Sequence, residues 1–420
     1  AVPSVKGEPT STAPFGSETR RALEVFFEHA EMLGFSTHHL DGYCGYVEWG
    51  PAGAPIIAAV CHLDVVPAGT WQQAFEPIRL DEKLYGRGSC DDKGPAVIVL
   101  YALKALRDKG YTPQHRFRII LGLDEESGSA CMDYYRKKAE LPVAAFTPDA
   151  DFPVIAAEKG LLHLKLSIPI QETHDAAGRP ARITLKAGTR ANVVPDEAVV
   201  DVEVAGTVEQ LRYAGKSAHA SKPETGENAV DKGMQALAEA GYDNQVIQFY
   251  DALLARDHNG EKLGIACSDE RSGKLTVNVG LARISPEKGE FLLDVRYPVT
   301  ADSSFIIETV QKAVSPWNGS CESPVHSAPL NLPDDHPLVA TLMETYNEVM
   351  GTKAKPIGIG GGTYARSLPN TVAFGPVFPG EVVNLHEPDE AVNLNSLLKS
   401  GVIYAKAFLR LDAVYADSET

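Results

Sequence analysis

The sequence predicts an α/β protein built on a mostly parallel sheet covered by helices, with a second, smaller α+β unit inserted into it. Three observations carry this. Short apolar runs alternate with amphipathic helical patterns from residue 19 to about 149, the grammar of βαβ units. After Glu158-Lys159-Gly160 the rhythm becomes strand-rich, and the α/β alternation returns near His336. Histidine or acidic residues close one apolar run after another, and open α/β sheets bind ligands at the carboxyl ends of their strands.

Residues 1–18, rich in Pro, Ser, Thr and Gly, read as loop. Residues 19–33 read as a helix, with Leu23, Phe26, Phe27, Ala30 and Leu33 on one face and Gly34 as its stop. Residues 45–50 and 55–62 read as strands; the run Ile56-Ile57-Ala58-Ala59-Val60 is too short for a helix and apolar throughout. A helix is expected over 95–109, with Val97, Ile98, Tyr101, Ala105 and Leu106 inward and Gly110 ending it. Strand 116–123, helix 129–138 and strand 143–146 follow. In the insert, strands are expected over 161–168, 182–186 and 198–204. A hairpin of 275–284 with 290–296 is expected too, and helices over 227–240 and 303–314. The outer unit resumes with helix 336–350, the glycine run 358–362, strand 371–374 and a last helix over 395–411. This places one domain at 1–160 and 325–420, and the inserted one at 161–324.

Composition narrows the function. A formal net charge of −17 argues against nucleic acid or an anionic membrane as partner. No apolar run approaches the roughly 20 residues of a membrane span, and no signal-peptide pattern is visible, so a cytoplasmic location is expected. The six cysteines form no C-x-x-C and read as free thiols of a reducing compartment, Cys61 and Cys90 being small packing residues.

Five pieces carry the chemistry. His62 and Asp64 lie two residues apart at the end of the first buried strand, so on an extended backbone they point the same way. Gly86-Arg87-Gly88-Ser89-Cys90-Asp91-Asp92-Lys93-Gly94 sets two acids in a glycine-rich turn, where either acid alone would serve as a helix cap. Asp124-Glu125-Glu126 follows a buried strand, and three adjacent carboxylates repel one another unless something positive sits among them. Neighbouring acids there can divide the roles of ligand and general base. Asp149, with Asp151 as a near alternative, follows Phe146-Thr147-Pro148, and His386 lies in Val383-Asn384-Leu385-His386-Glu387-Pro388. Mixed imidazole and carboxylate donors suit Zn²⁺, and also Mn²⁺ or Co²⁺.

Residues 55–69, 84–94, 119–128, 146–160, 216–222, 358–366 and 383–390 together resemble the M20 metallopeptidases, in family order. Thr147-Pro148-Asp149-Ala150-Asp151-Phe152-Pro153 and Gly360-Gly361-Gly362-Thr363-Tyr364-Ala365-Arg366 are similar to the bacterial dipeptidases of the carnosinase-like or PepV-like kind. The resemblance implies a zinc-peptidase-like catalytic domain, an inserted lid domain and two Zn²⁺ per chain. It implies His62 and Asp149 on one ion, Glu126 and His386 on the other, Asp91 bridging, Glu125 as general base and acid, and Asp64 orienting His62. From the lid, His219 would polarise the scissile carbonyl. Asn192, Arg296 and the run Gly361, Gly362, Thr363 would grip the substrate, with the Arg296 fork suited to a carboxylate. The stretch between Asn192 and His219 is shorter than the family pattern, and the chain begins later than it. The expected activity is dipeptide hydrolysis by a monomer or homodimer. Deacylation of N-acyl amino acids or carboxypeptidase action is the alternative within the same family, and a non-catalytic metal-dependent binding protein is the alternative outside it.

Overall fold

The computed structural model describes residues 2–417. The chain forms two compact units. One comprises the described residues up to Ala156, Leu332–Ile357 and those from Gly362 onward; the other is Ala157–Asn331 with Gly358–Gly361. The divisions thus fall a few residues away from those expected at 160/161 and 324/325. The short segment Gly358–Gly361 joins the insert because Lys159 N–H donates to the Ile359 carbonyl (3.1 Å) and Arg296 Nη1 to the Gly360 carbonyl (2.8 Å).

In the first unit the strands run in the order Ser36–Leu40, Cys44–Trp49, Arg116–Gly122, Ile56–His62, Ala144–Thr147, Thr371–Phe374, Val154–Glu158. The middle four are mutually parallel, and those outside them pair antiparallel. Ile56–His62 is buried at every position, as a central parallel strand covered on both faces must be. Helix Ser17–Met32 buries Ala22, Leu23, Phe26, Phe27 and Ala30. The C-terminal helix Leu394–Asp417 buries Ile403, Tyr404, Ala407, Phe408 and Leu411. Its Tyr404 and Phe408 rings pack on Phe146 of the sheet. Fully buried Asp412 ties that helix down, accepting from His115 N–H (2.8 Å), His115 Nδ1 (2.8 Å) and the Tyr111 hydroxyl (2.6 Å).

The expected inward face of the second helix is corrected. Helix Lys93–Asp108 buries Ala96, Val99, Leu100, Ala102, Leu103 and Leu106, while Val97, Tyr101 and Ala105 are exposed and Ile98 is half-buried. Of the expected inward set only Leu106 is fully covered. The helix is apolar nearly all round, so periodicity alone does not choose its buried side.

The second unit is a seven-stranded antiparallel sheet. Its order is Thr207–Ala214, Glu197–Val204, Ala181–Ala187, Thr276–Ile284, Lys288–Tyr297, Gly160–Pro169, Ser320–Ser327. Helices Ala229–Glu239, Gln245–Leu253 and Ser303–Val314 bury Val230, Leu237, Phe249, Tyr250, Ile306 and Val310 in its core. Three of these elements were not expected. The strands Thr207–Ala214 and Ser320–Ser327 are the two edges, mostly exposed and with no fully buried position, and the second carries Pro324. Helix Gln245–Leu253 has nine residues, too few for its period to stand out.

Candidate metal centre

Three adjacent parallel strands place the site. Ile56–His62 lies between Arg116–Gly122 and Ala144–Thr147, so His62 ends the middle strand while Glu125, Glu126 and Asp149 follow the two flanking ones. The turn before helix Lys93–Asp108 brings Asp91, and the loop between strand Thr371–Phe374 and the last helix brings His386. His386 adopts φ 63°, a left-handed conformation uncommon for a residue with a Cβ.

The geometry centres on Asp91. Its Oδ1 lies 2.8 Å from His62 Nε2 and its Oδ2 lies 2.9 Å from His386 Nε2. His386 Nε2 is also 3.2 Å from Glu126 Oε2, and His62 Nε2 is 3.6 Å from Asp149 Oδ2. Donor atoms of His62, Asp91 and Glu126 lie within 4.8 Å of one another, as do those of His62, Glu125 and Asp149. The neighbouring acids are settled as well. Asp92 turns away to accept the His62 amide (3.1 Å), and it does not cap the helix with its side chain. Asp124 is taken by Lys6 (2.7 Å), Ser127 Oγ (2.6 Å) and the Ala130 amide (3.1 Å). Asp151 is exposed, and Asp149 is the acid that reaches His62.

Asp64 acts in two directions. Its main-chain carbonyl accepts from His62 Nδ1 at 2.9 Å, with the carboxylate 3.5 Å away. Its two carboxylate oxygens each accept one amide, from Glu125 and Glu126, both at 3.1 Å. Orientation of His62 thus falls first to the Asp64 carbonyl, and the carboxylate places the acid pair.

The electrostatics are those of an anion-rich pocket. Burial, with Glu126, Asp91 and Asp64 adding to it against the pull of His62, pushes Glu125 up to about 8. Burial and the Asp91 charge push Asp149 well above the usual carboxylate range. Burial alone would lower His62, but its hydrogen bonds to Asp64 and Asp91 prevail and raise it well above 6.5. Hydrogen bonds to Asp91 and Glu126 push His386 up to about 10. Two imidazoles among converging carboxylates are the donor set that divalent cations such as Zn²⁺ take, so the residues present fit such ions.

Sequence reasoning missed two members. Glu390, fully buried, accepts the amides of Gly88 (3.0 Å), Cys90 (3.1 Å) and Asp91 (3.3 Å) on Oε1, and Arg87 Nη1 (2.7 Å) on Oε2. The available signal was Arg87, a cation inside a glycine turn and in need of a counter-charge. Buried Tyr364 sets its ring edge-on to His62, centroids 6.1 Å apart, and its hydroxyl lies 3.0 Å from Cys131 Sγ. That ring fits because Gly122, which pairs with His62, lacks a side chain; a Cβ there would fall 2.0 Å from the Tyr364 oxygen.

The second unit assembles its own set. Ala220 N–H donates to the Asn192 carbonyl (2.9 Å) and Val194 N–H to the Ala218 carbonyl (2.8 Å), so the segments bearing Asn192 and His219 are paired. His219 Nδ1 lies 2.7 Å from Ser221 Oγ and accepts the Ser221 amide at 3.3 Å, which leaves the ring proton on Nε2. The Arg296 fork is not open. Nε and Nη2 face Asp294 at 3.0 and 3.4 Å, and Nη1 donates to Gly360. Gly361 belongs to this unit, whereas Gly362 and Thr363 belong to the first. Thr363 Oγ1 accepts the Ala365 amide and caps a short turn (3.1 Å).

A family model, "Peptidase family M20/M25/M40", matches residues 58–410. The chain belongs to this family. It is an M20 hydrolase with an M20 fold: a catalytic unit on a mostly parallel central sheet, with a lid. It is 38% identical to "Putative dipeptidase YtjP" of Bacillus subtilis (strain 168), over 95% of this chain and 92% of that protein. It is 32% identical to a "Putative dipeptidase" of Staphylococcus epidermidis, over 97% of this chain and 92% of that one. Among solved structures, human carnosine dipeptidase 1 superposes with a TM-score of 0.62 at 13% identity, covering 98% of this chain and 94% of that one. The M20 family metallo-carboxypeptidase Sso-CP2 from Sulfolobus solfataricus gives 0.59 at 18% identity, covering 96% of each. These two likenesses speak to the M20 fold alone. Among the described residues no helix is long and apolar enough to cross a membrane.

Proposed function

We propose that this M20 peptidase is a dinuclear metallo-dipeptidase. The observation that carries the reading is the division of the Asp91 carboxylate, one oxygen toward His62 and the other toward His386. A carboxylate so placed is suited to join two cations. His62 and Asp149 would hold one, Glu126 and His386 the other, and Asp91 both. Bound there, the ions would supply Lewis acidity and bring the pKa of a coordinated water near 7.

Glu125 is the general base: its carboxylate takes a proton from the attacking water and returns it to the leaving amine. The Asp64 carboxylate keeps Glu125 and Glu126 at their stations through their amides. In the lid, His219 carries its proton on Nε2 and donates it as a hydrogen bond to the developing oxyanion. Asn192 adds a polar contact from the paired segment. A panel of dipeptides, assayed with Zn²⁺, Mn²⁺ and Co²⁺ while metal content is measured, tests the reading. About two ions per chain and turnover of free dipeptides are expected, with His386→Ala holding less metal. Metal-loaded protein that turns over no dipeptide removes the proposal, and full loading of His386→Ala removes that ligand.

Arg296 is proposed to read the substrate carboxylate with the Nη hydrogens that Asp294 and Gly360 do not take, together with the glycine run it holds through Gly360. Arg296→Ala is expected to lower kcat/KM for a free-acid dipeptide by about ten- to hundred-fold, the worth of a charge-assisted contact of roughly 1.5–3 kcal/mol, and to affect the C-terminal amide less. Equal slowing of both forms would mean that Arg296 secures the loop and reads nothing.

A further inference from the structure

The described N-terminal residues 2–6 have no helix or strand, yet they run beneath three of the loops that form the metal centre. Ser4 is fully buried; its hydroxyl donates to the Leu63 carbonyl (2.5 Å), and its own carbonyl accepts the Val65 amide (3.1 Å). That brackets Asp64 on both sides. The Val2 carbonyl accepts Lys93 Nζ (2.8 Å), directly after Asp91 and Asp92. Lys6 Nζ meets Asp124 at 2.7 Å, directly before Glu125 and Glu126. The segment is anchored beyond these contacts, because Gly7 N–H donates to the Phe15 carbonyl (2.9 Å) and Phe15 lies in the core.

From this we infer that residues 2–6 are a positioning strap, which sets the spacing of the His62–Asp64, Asp91–Lys93 and Asp124–Glu126 loops and so the grip of the centre on its cations. The inference rests on the dinuclear reading above. None of the strap's side chains is a ligand; they act through the loops. The Asp124 carboxylate, only 2% exposed, would without Lys6 be a buried anion next to two more acids. Such a group reorganises toward water, and the Glu125 and Glu126 backbone moves with it.

Charge and position predict opposite signs, which makes the strap testable. Removing a cation near a cation site tightens metal binding if Lys6 acts by its field alone. Removing a positioning contact loosens it. The measurement is Zn²⁺ affinity by titration against a competing chelator, for wild type, Lys6→Met, Lys6→Arg and Ser4→Ala, with the melting temperature of each metal-free protein. Lys6→Met keeps most of the stem that packs by the Phe15 ring, 5.4 Å from Nζ. Expected is a three- to ten-fold weaker affinity for Lys6→Met and for Ser4→Ala, near-wild-type affinity for Lys6→Arg, and metal-free melting that, though lowered in Lys6→Met and Ser4→Ala, stays above the titration temperature. Unchanged or tighter binding by Lys6→Met overturns the strap, as does weakening that Lys6→Arg does not restore. If Lys6→Met fails to fold, Ser4→Ala against Lys6→Arg decides on the same criterion. Wild-type protein that binds no Zn²⁺ is a different failure, that of the dinuclear reading itself.

Discussion

Glu125→Gln is expected to keep its metal and lose roughly 10²–10⁴-fold in kcat, the usual contribution of a positioned acid–base group. Glutamine is nearly isosteric, and the Glu125 amide that donates to Asp64 is main-chain, so the turn keeps its shape. What is lost is the ability to accept a proton. Metal content, kcat and KM measured together separate the outcomes. Undiminished kcat at full loading would move the base elsewhere, with Glu126 next in line. Loss of metal together with rate would instead make Glu125 a ligand, which its place within 4.8 Å of the His62 and Asp149 donors allows geometrically.

The largest stability effect is expected at a residue that touches no substrate. Glu390→Gln leaves Arg87, whose side chain is 2% exposed, as a buried cation without its anion. Removing one partner of a buried pair costs about 3–5 kcal/mol. The Gly88, Cys90 and Asp91 amides still find an oxygen in glutamine, so the loss should come chiefly from the charge. Denaturant unfolding of the metal-free protein measures it. The double variant Glu390→Gln/Arg87→Met should recover part of the loss, because the orphaned cation is then gone as well. A single-variant loss below about 1 kcal/mol would mean that Arg87 finds another partner or water.

What was legible in the sequence and what was not divide along sequence distance. The strand ends of the catalytic unit could be read because each consists of a short apolar run and the acid or histidine that follows it. Their adjacency then follows from parallel order, which sets His62 between the turns bearing Glu125 and Asp149. Local pattern does not separate Asp91 from Asp92 or Asp149 from Asp151; the family resemblance pointed to Asp91 and Asp149, and those are the two acids near His62 Nε2. Arg87 signalled that a counter-charge was needed but not that it would be Glu390, and Lys6 left no pattern at all. Glu390 works on a turn about 300 residues away and Lys6 on one 118 residues away, and no local periodicity encodes such a partner. Arg296 was placed on a strand, and an ion pair was one reading of it; that the partner is Asp294, on the same face two residues before, was not read.

The arrangement of the two units has a consequence for the order in which they can form during synthesis. All seven strands of the inserted sheet lie between Gly160 and Ser327, so that sheet has its full complement once this stretch has left the ribosome. The catalytic sheet does not. Its strand Thr371–Phe374 closes the parallel run beside Ala144–Thr147 and separates it from Val154–Glu158, His386 comes later still, and the helix that covers Phe146 begins at Leu394. Until then a nascent chain carries His62 on an unfinished sheet whose Ala144–Thr147 strand lacks both its neighbour and the cover over Phe146, a state prone to mispairing. The enzyme's N-terminal half must therefore wait for its last quarter, and a chain stopped before residue 371 would hold a complete insert beside a catalytic sheet with a missing strand.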